Sequence, residues 1–117
     1  MAKSGEKTYF KKIGKEGVEF SLKKPFSDGL QVGSLLHDIA AVFTLLPFPG
    51  NSLRILDLGC GTGWTSSFFA MGGHEVVGVD ISKDAVIAAK KKHKNLAKNL
   101  TFLCSDYDNL KFKNEFD

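Results

Sequence analysis

The residues of this sequence that could hold a ligand begin with three alternating glycines. Gly59, Gly61 and Gly63 occur in "DLGCGTG", directly behind a short apolar run. Glycine adopts positive φ without strain and lets a ligand approach the backbone closely. One glycine would suffice for a tight turn between a strand and a helix. Three in alternation therefore favour a ligand-binding loop over a purely structural turn.

Carboxylates accompany these glycines at three places. Asp57 immediately precedes the loop, Asp80 lies 21 positions beyond Gly59, and "CSDYD" (104–108) contains Asp106 and Asp108. A carboxylate at the spacing of Asp80 can accept both hydroxyls of a ribose. The three histidines have no metal-ligand spacing, so we predict no metal site. Cys60 and Cys104 have no CxxC spacing and are expected to be reduced thiols.

These residues all follow segments that are typical of buried strands. The segments are "LRILDL" (53–58), "EVVGVDI" (75–81) and "NLTFLCSD" (99–106). Between them we predict helices over "WTSSFFAM" (64–71) and from the N-cap Ser82 to about residue 95. This β-α-β-α-β order predicts a parallel sheet with right-handed crossovers. Ligands bind outside the carboxyl ends of such strands, where the candidate residues lie.

The N-terminal half is less regular. Apolar residues at helical spacing predict a helix over 28–46, which Pro47 ends. Residues 1–27 are expected to be an extension with a hairpin, formed by "TYFKKIG" and "GVEFSL". We therefore divide the chain into that extension and one ligand-binding domain, residues 28–117.

Composition limits the class of protein. The 117 residues are 43% hydrophobic and 25% charged, as in one ordinary soluble domain. Apolar runs are far shorter than the roughly 18 residues of a membrane span, and no secretory signal is present, so a cytoplasmic protein is expected. Much of the net charge of +3 lies in "KKKHKNLAK" (90–98). We interpret this run as a solvated helix face, because a nucleic-acid site would favour interleaved aromatic or arginine residues.

Two cofactor classes compete for the glycine loop. A dinucleotide site requires G-x-G-x-x-G, but its third position is Trp64 counted from Gly59, or Ser66 counted from Gly61. The sequence "LDLGCGTG" instead resembles the first motif of the class I S-adenosylmethionine-dependent methyltransferases. The resemblance covers residues 53–117. It implies a Rossmann-like sheet with strand order 3-2-1, whose remaining strands are absent from this sequence.

The resemblance also implies roles for single residues. The backbone of Gly59, Cys60, Gly61 and Gly63 would hold the methionine part of S-adenosyl-L-methionine. Asp57 would accept hydrogen bonds from loop amides or reach the ammonium group through water. At the nucleoside, Asp80 would bind the ribose hydroxyls. Ile81 and Tyr107 would pack on the adenine ring, and Asp106 would accept a hydrogen bond from the adenine amino group. Asp108 is the alternative acceptor, and the helix over 28–46 would help to cover the cofactor.

The expected activity is methyl transfer, for which no catalytic residue can be named from this sequence. An activated methyl group requires in-line approach and exclusion of water more than acid–base groups. We expect a small-molecule acceptor, with RNA or protein as alternatives. The alternative functions are an NAD(P)-dependent oxidoreductase module and a non-catalytic domain that keeps the fold. A first strand without a neighbour on one side would be an apolar edge, and we expect such a chain to oligomerise through it.

Overall fold

Three parallel strands form the centre of this computed structural model, which describes residues 15–27, 29–46 and 52–117. The strands are β1 (Arg54–Leu58), β2 (Glu75–Asp80) and β3 (Leu100–Cys104). They lie in the order β1-β2-β3, so the predicted 3-2-1 order of a Rossmann-like sheet is confirmed. The carboxyl ends of all three strands consequently meet at one edge of the sheet.

Helices precede and connect these strands. They are α1 (residues 15–22), α2 (Val32–Leu45), α3 (Trp64–Met71) and α4 (Lys83–Lys92), with single 3-10 turns at Lys94–Leu96 and Tyr107–Asn109. The predicted helix over 28–46 is confirmed for Val32–Leu45, while residues 28 and 47–50 lie outside the described ranges. None of the helices within those ranges is long and apolar enough to cross a bilayer.

The hairpin predicted for residues 1–27 is wrong where the structure describes it. "GVEFSL" lies in α1 and is not a strand, and "TYFKKIG" lies entirely outside the described residues. The buried positions explain the difference: Gly17, Ser21 and Pro25 are spaced four apart, which is the helical period and not the period of two. Alternation over six residues resembled a strand, but packing of the small residues decided for a helix.

Helix termini surround the carboxyl edge of the sheet. Gly63, with φ of 85°, immediately precedes α3. Ser82 is the N-cap of α4, as predicted, and its Oγ accepts a hydrogen bond from the N–H of Ala85 at 3.2 Å. At the other end of α3, away from the glycine loop, Gly73 has a φ of 94° and lets the chain reverse into β2. Both crossover helices therefore begin beside the glycine loop.

The core beneath the loop is centred on the ring of Phe102 in β3. Gly78 pairs with Phe102 across the sheet, and a Cβ atom on Gly78 would lie 2.9 Å from that ring. A Cβ atom on Gly63 would lie only 2.5 Å from the same ring. Two glycines thus make room for one phenylalanine, which supports the loop from below.

Candidate functional site

The glycine loop has a left-handed backbone at each of its three alternating glycines. The φ angles are 70° at Gly59, 57° at Gly61 and 85° at Gly63. The N–H groups of Gly59 and Cys60 both donate to the carbonyl of Val79, at 2.8 and 3.0 Å. The loop therefore curls back over the end of β2, in a conformation that side chains with a Cβ adopt only with strain.

Asp80 connects this loop to α4. Its Oδ2 accepts the N–H of Gly61 and its Oδ1 accepts the N–H of Ser82, both at 2.8 Å. The carboxylate is completely buried, with 0% of its surface exposed. A buried carboxylate with two backbone donors is well stabilised, so Asp80 fixes the relative positions of the loop and α4.

The segment after β3 reaches the same place. Ser105 donates its N–H to the carbonyl of Asp80 at 3.0 Å. The hydroxyl of Tyr107 lies 3.0 Å from where a Cβ on Gly59 would be. Asp106 caps the short 3-10 turn, and its Oδ1 accepts the N–H of Asp108 at 3.0 Å. The structure thus brings the residues after all three strands together.

Asp57 holds the first turn of α3. Its Oδ2 accepts the hydroxyl of Thr65 at 2.7 Å and that of Ser66 at 2.6 Å. Of the two roles predicted for Asp57, bonds from the loop amides are not formed, since the N–H groups of Gly59 and Cys60 turn toward β2; contact with an ammonium group stays a prediction. Its Oδ1 accepts no hydrogen bond from a described residue, and the side chain is only half buried.

Thr62, between two of the glycines, is the point where three elements meet. Its hydroxyl lies 2.8 Å from the hydroxyl of Ser21 in α1, and both residues are buried. Its carbonyl accepts a hydrogen bond from Nε2 of His93, at the end of α4, at 3.1 Å. Burial lowers the pKa of His93; the bond to Thr62 opposes the shift and neighbouring Lys92 adds to it. His93 is thus favoured as the neutral donor to the loop.

The family of the chain follows from comparison with known proteins. A family model described as a methyltransferase domain matches residues 55–117, which is more than half of the sequence. The chain belongs to this methyltransferase family. The resemblance inferred from "LDLGCGTG" is therefore confirmed, and the matched segment contains every predicted site residue.

Individual relatives match different shares of this chain. A malonyl-[acyl-carrier protein] O-methyltransferase of Erwinia pyrifoliae is 49% identical over 37% of this chain and 16% of its own. An S-adenosylmethionine-dependent methyltransferase of Mesorhizobium loti is 31% identical with a TM-score of 0.55, over 67% of this chain and 35% of that one. Magnesium protoporphyrin IX methyltransferase of Synechocystis, solved with bound S-adenosylhomocysteine, is 25% identical with a TM-score of 0.69, over 95% and 54%.

This chain thus spans between a sixth and a third of the first curated relatives it matches.

Of the helices that precede β1, α1 contacts the glycine loop through Ser21. The family resemblance implied that α2 helps to cover the cofactor, and this role stays a prediction; the ring contacts of α2 are made with α3 and His74. Phe43 of α2 stacks on Phe69 with ring centroids 5.3 Å apart, and it also faces His74. These contacts are at the end of α3 that is remote from the loop. Sequence patterns missed α1 because its alternating sequence resembles a strand, and they missed its contact with the loop because a pair of hydroxyls leaves no periodic signal.

The two cysteines of the methyltransferase domain differ in environment. Cys60 is buried and packs in the core beside Gly78, so only its backbone belongs to the loop surface. Cys104 is exposed, and its thiol faces the carbonyl of Ile81 at 3.6 Å. The described residues include no group of three His, Cys, Asp or Glu side chains that could hold a metal ion.

Proposed function

We propose that this methyltransferase domain binds S-adenosyl-L-methionine at the carboxyl edge of its sheet and transfers the methyl group to a small molecule. The observation that carries the proposal is the convergence of three segments. The glycine loop, Asp80 and Tyr107 follow or end three different strands, and the loop lies within contact distance of both Asp80 and Tyr107. Ligands of open parallel sheets bind at such an edge.

The methionine part of the cofactor fits the glycine loop. A Cβ atom on Gly61 would meet nothing within 4 Å, so open space lies beside its backbone. Oδ1 of Asp57 keeps its acceptor capacity, because the two hydroxyls of α3 bind Oδ2. We assign Oδ1 to the ammonium group of the cofactor, directly or through water.

The nucleoside part is assigned to the ends of β2 and β3. Each oxygen of Asp80 accepts one backbone N–H, which leaves a second lone pair on each for a ribose hydroxyl. Because Asp80 is completely buried, the residues over it must move before ribose can reach it. Ile81 and Tyr107 would pack on the adenine ring. Asp106 would accept a hydrogen bond from the amino group of adenine.

Methyl transfer makes few demands on the side chains of such a site. When bound, the cofactor would supply a methyl group activated by its sulfonium sulfur, and transfer to the acceptor would release S-adenosylhomocysteine as the leaving group. The residues named here would bind the cofactor, orient it and exclude water from it. A general base belongs to the part of the protein that binds the acceptor, and no described residue is assigned that role.

The acceptor is proposed to be a metabolite. Two of the relatives described above are named for a malonyl-[acyl-carrier protein] and for magnesium protoporphyrin IX, which supports a metabolite over RNA. The acceptor would be either a free or a carrier-bound metabolite. The cytoplasmic location stays a prediction.

Calorimetry of the full-length protein tests the cofactor assignment. S-adenosylhomocysteine should bind with a Kd in the micromolar range, whereas NAD should bind far more weakly. Absence of heat with S-adenosylhomocysteine on a folded sample would refute the proposal. Tighter binding of NAD would instead support the oxidoreductase alternative.

A further inference from the structure

We propose that a pocket beside α3 binds an aliphatic carboxylate, a ligand with an apolar chain and one anionic head. This pocket, the helix pocket, has a volume of about 590 Å³ and is lined by one face of α3, by residues 22–26 and by three residues at and after the end of α4. Its volume is that of an ordinary small-molecule site. Asp57, Gly61 and Asp80 do not line it, so the proposal is independent of the cofactor assignment.

The face of α3 in the helix pocket is apolar and largely aromatic. Trp64, Phe68 and Met71 are spaced four and three residues apart, so they lie on one side of the helix. The rings of Trp64 and Phe68 pack edge to face, with centroids 5.6 Å apart. Met71 is 63% exposed, and so is 69% of Phe26 in the turn after α1. Large apolar side chains that surround one pocket and stay exposed indicate a ligand with an apolar body.

Lysines give the helix pocket its charge. Lys23, Lys24 and Lys92 line it, and the described residues around it include no Asp or Glu. Lys23 and Lys24 are exposed, and neither forms an ion pair with a described acidic side chain. Nζ of Lys92 donates to the carbonyl of Leu22, which ties the end of α4 to α1. The positive rim therefore attracts an anionic head, while the apolar chain of the ligand contacts α3.

Other occupants satisfy only one of these two features. A small polar anion such as phosphate would leave the aromatic face in water. A second copy of this chain, packed through the same pocket about a two-fold axis, would bring the lysines of both copies to one interface. Like charges at close range repel each other. The combination of an apolar wall and an unpaired positive rim therefore favours an amphipathic anion.

Calorimetry of the full-length protein with dodecanoate, kept below its micelle-forming concentration, tests this inference. Dodecanoate should bind saturably and should change the fluorescence emission of Trp64, the only tryptophan of these 117 residues. Dodecylammonium has the same chain with the opposite charge, and acetate has the same carboxylate without the chain. Each should bind about tenfold more weakly or worse. Saturating S-adenosylhomocysteine should leave the affinity for dodecanoate unchanged, because the two sites share no assigned residue.

Two variants remove the apolar and the charged feature separately. Phe26→Ala should lower the affinity for dodecanoate about tenfold, because the apolar chain loses a ring that it would cover. Lys23→Glu with Lys24→Glu should lower it by a similar factor, because the rim then repels the carboxylate. All three side chains are exposed, so the fold should persist, and thermal melting verifies this.

Matched controls change exposed residues outside the helix pocket. Leu45→Ala and the pair Lys111→Glu with Lys113→Glu should bind dodecanoate like the parent protein. Absence of saturable binding, equal binding of dodecylammonium, displacement by S-adenosylhomocysteine, or full affinity in the pocket variants would each overturn the proposal. A dimer that Phe26→Ala dissociates in size-exclusion chromatography would overturn it in favour of a second copy.

Discussion

The hydroxyl of Ser21 lies 2.8 Å from the hydroxyl of Thr62, and this contact fastens α1 to the middle of the glycine loop. Both side chains are buried, at 6% and 2% exposure. The carbonyl of Thr62 also accepts a hydrogen bond from His93, so α1 and the end of α4 contact the same loop residue. The conformation of the loop therefore depends on two elements that are distant from it in sequence.

Ser21→Ala should destabilise the domain by about 1–2 kcal/mol, because it leaves the Thr62 hydroxyl buried without its partner. Urea denaturation measures the loss. Ser34→Ala, on the exposed side of α2, is the matched control and should be nearly neutral. The double variant Ser21→Ala, Thr62→Val should recover part of the loss, since it removes both polar groups. If the double variant instead loses the sum of the stability losses of Ser21→Ala and Thr62→Val measured singly, the contact between the two hydroxyls contributes nothing.

Substitutions at two glycines of the loop should have different consequences. Gly63→Ala combines a positive φ with a Cβ 2.5 Å from Phe102, and should cost about 2–5 kcal/mol of folding free energy. Gly61→Ala meets open space and should cost about 1–2 kcal/mol. Gly61→Ala should nevertheless weaken the binding of S-adenosylhomocysteine, because the Cβ of the new alanine occupies the space assigned to the cofactor. Denaturation and calorimetry on both variants measure the two effects, and equal stability losses would contradict this loop geometry.

Asp80→Ala should lower the affinity for S-adenosylhomocysteine about 30- to 150-fold. This corresponds to a loss of about 2–3 kcal/mol of binding free energy from two charge-assisted hydrogen bonds to ribose. It should also lower the melting temperature, because the N–H groups of Gly61 and Ser82 lose their acceptor. Asp84→Ala, an exposed carboxylate in the first turn of α4, is the control. A lower melting temperature with unchanged affinity would limit Asp80 to a structural role.

His93 should make the stability of the domain depend on pH. Its pKa is lowered in the folded state, mainly by burial, so the unfolded chain binds the proton more readily. Stability should therefore be complete above about pH 6.5 and decrease as pH falls from there toward the lowered pKa. His93→Gln keeps an N–H donor without titrating, and should flatten this part of the profile. Denaturation at several pH values checks the difference, and parallel profiles would exclude His93 as its source.

The sequence by itself determined the sheet and the positions of the candidate residues. Apolar strands, a helix N-cap at Ser82 and alternating glycines are local patterns, so the parallel β-α-β-α-β order and the loop at 59–63 could be predicted. The motif "LDLGCGTG" likewise identified the family, because its residues are contiguous in the sequence. Local patterns suffice where neighbouring residues enforce the structure.

Tertiary structure alone decided which elements contact the loop. Ser21 and His93 bind Thr62 from sequence distances of 41 and 31 residues, and neither lies in a recognisable pattern. Packing against residues that are remote in sequence also explains the error at "GVEFSL". There the burial of small side chains favoured a helix, although the sequence alternates. It also explains Asp57, whose partners are hydroxyls of the next helix and not loop amides. Hydrogen-bond geometry depends on where folded elements come to lie, and residue order does not specify that position.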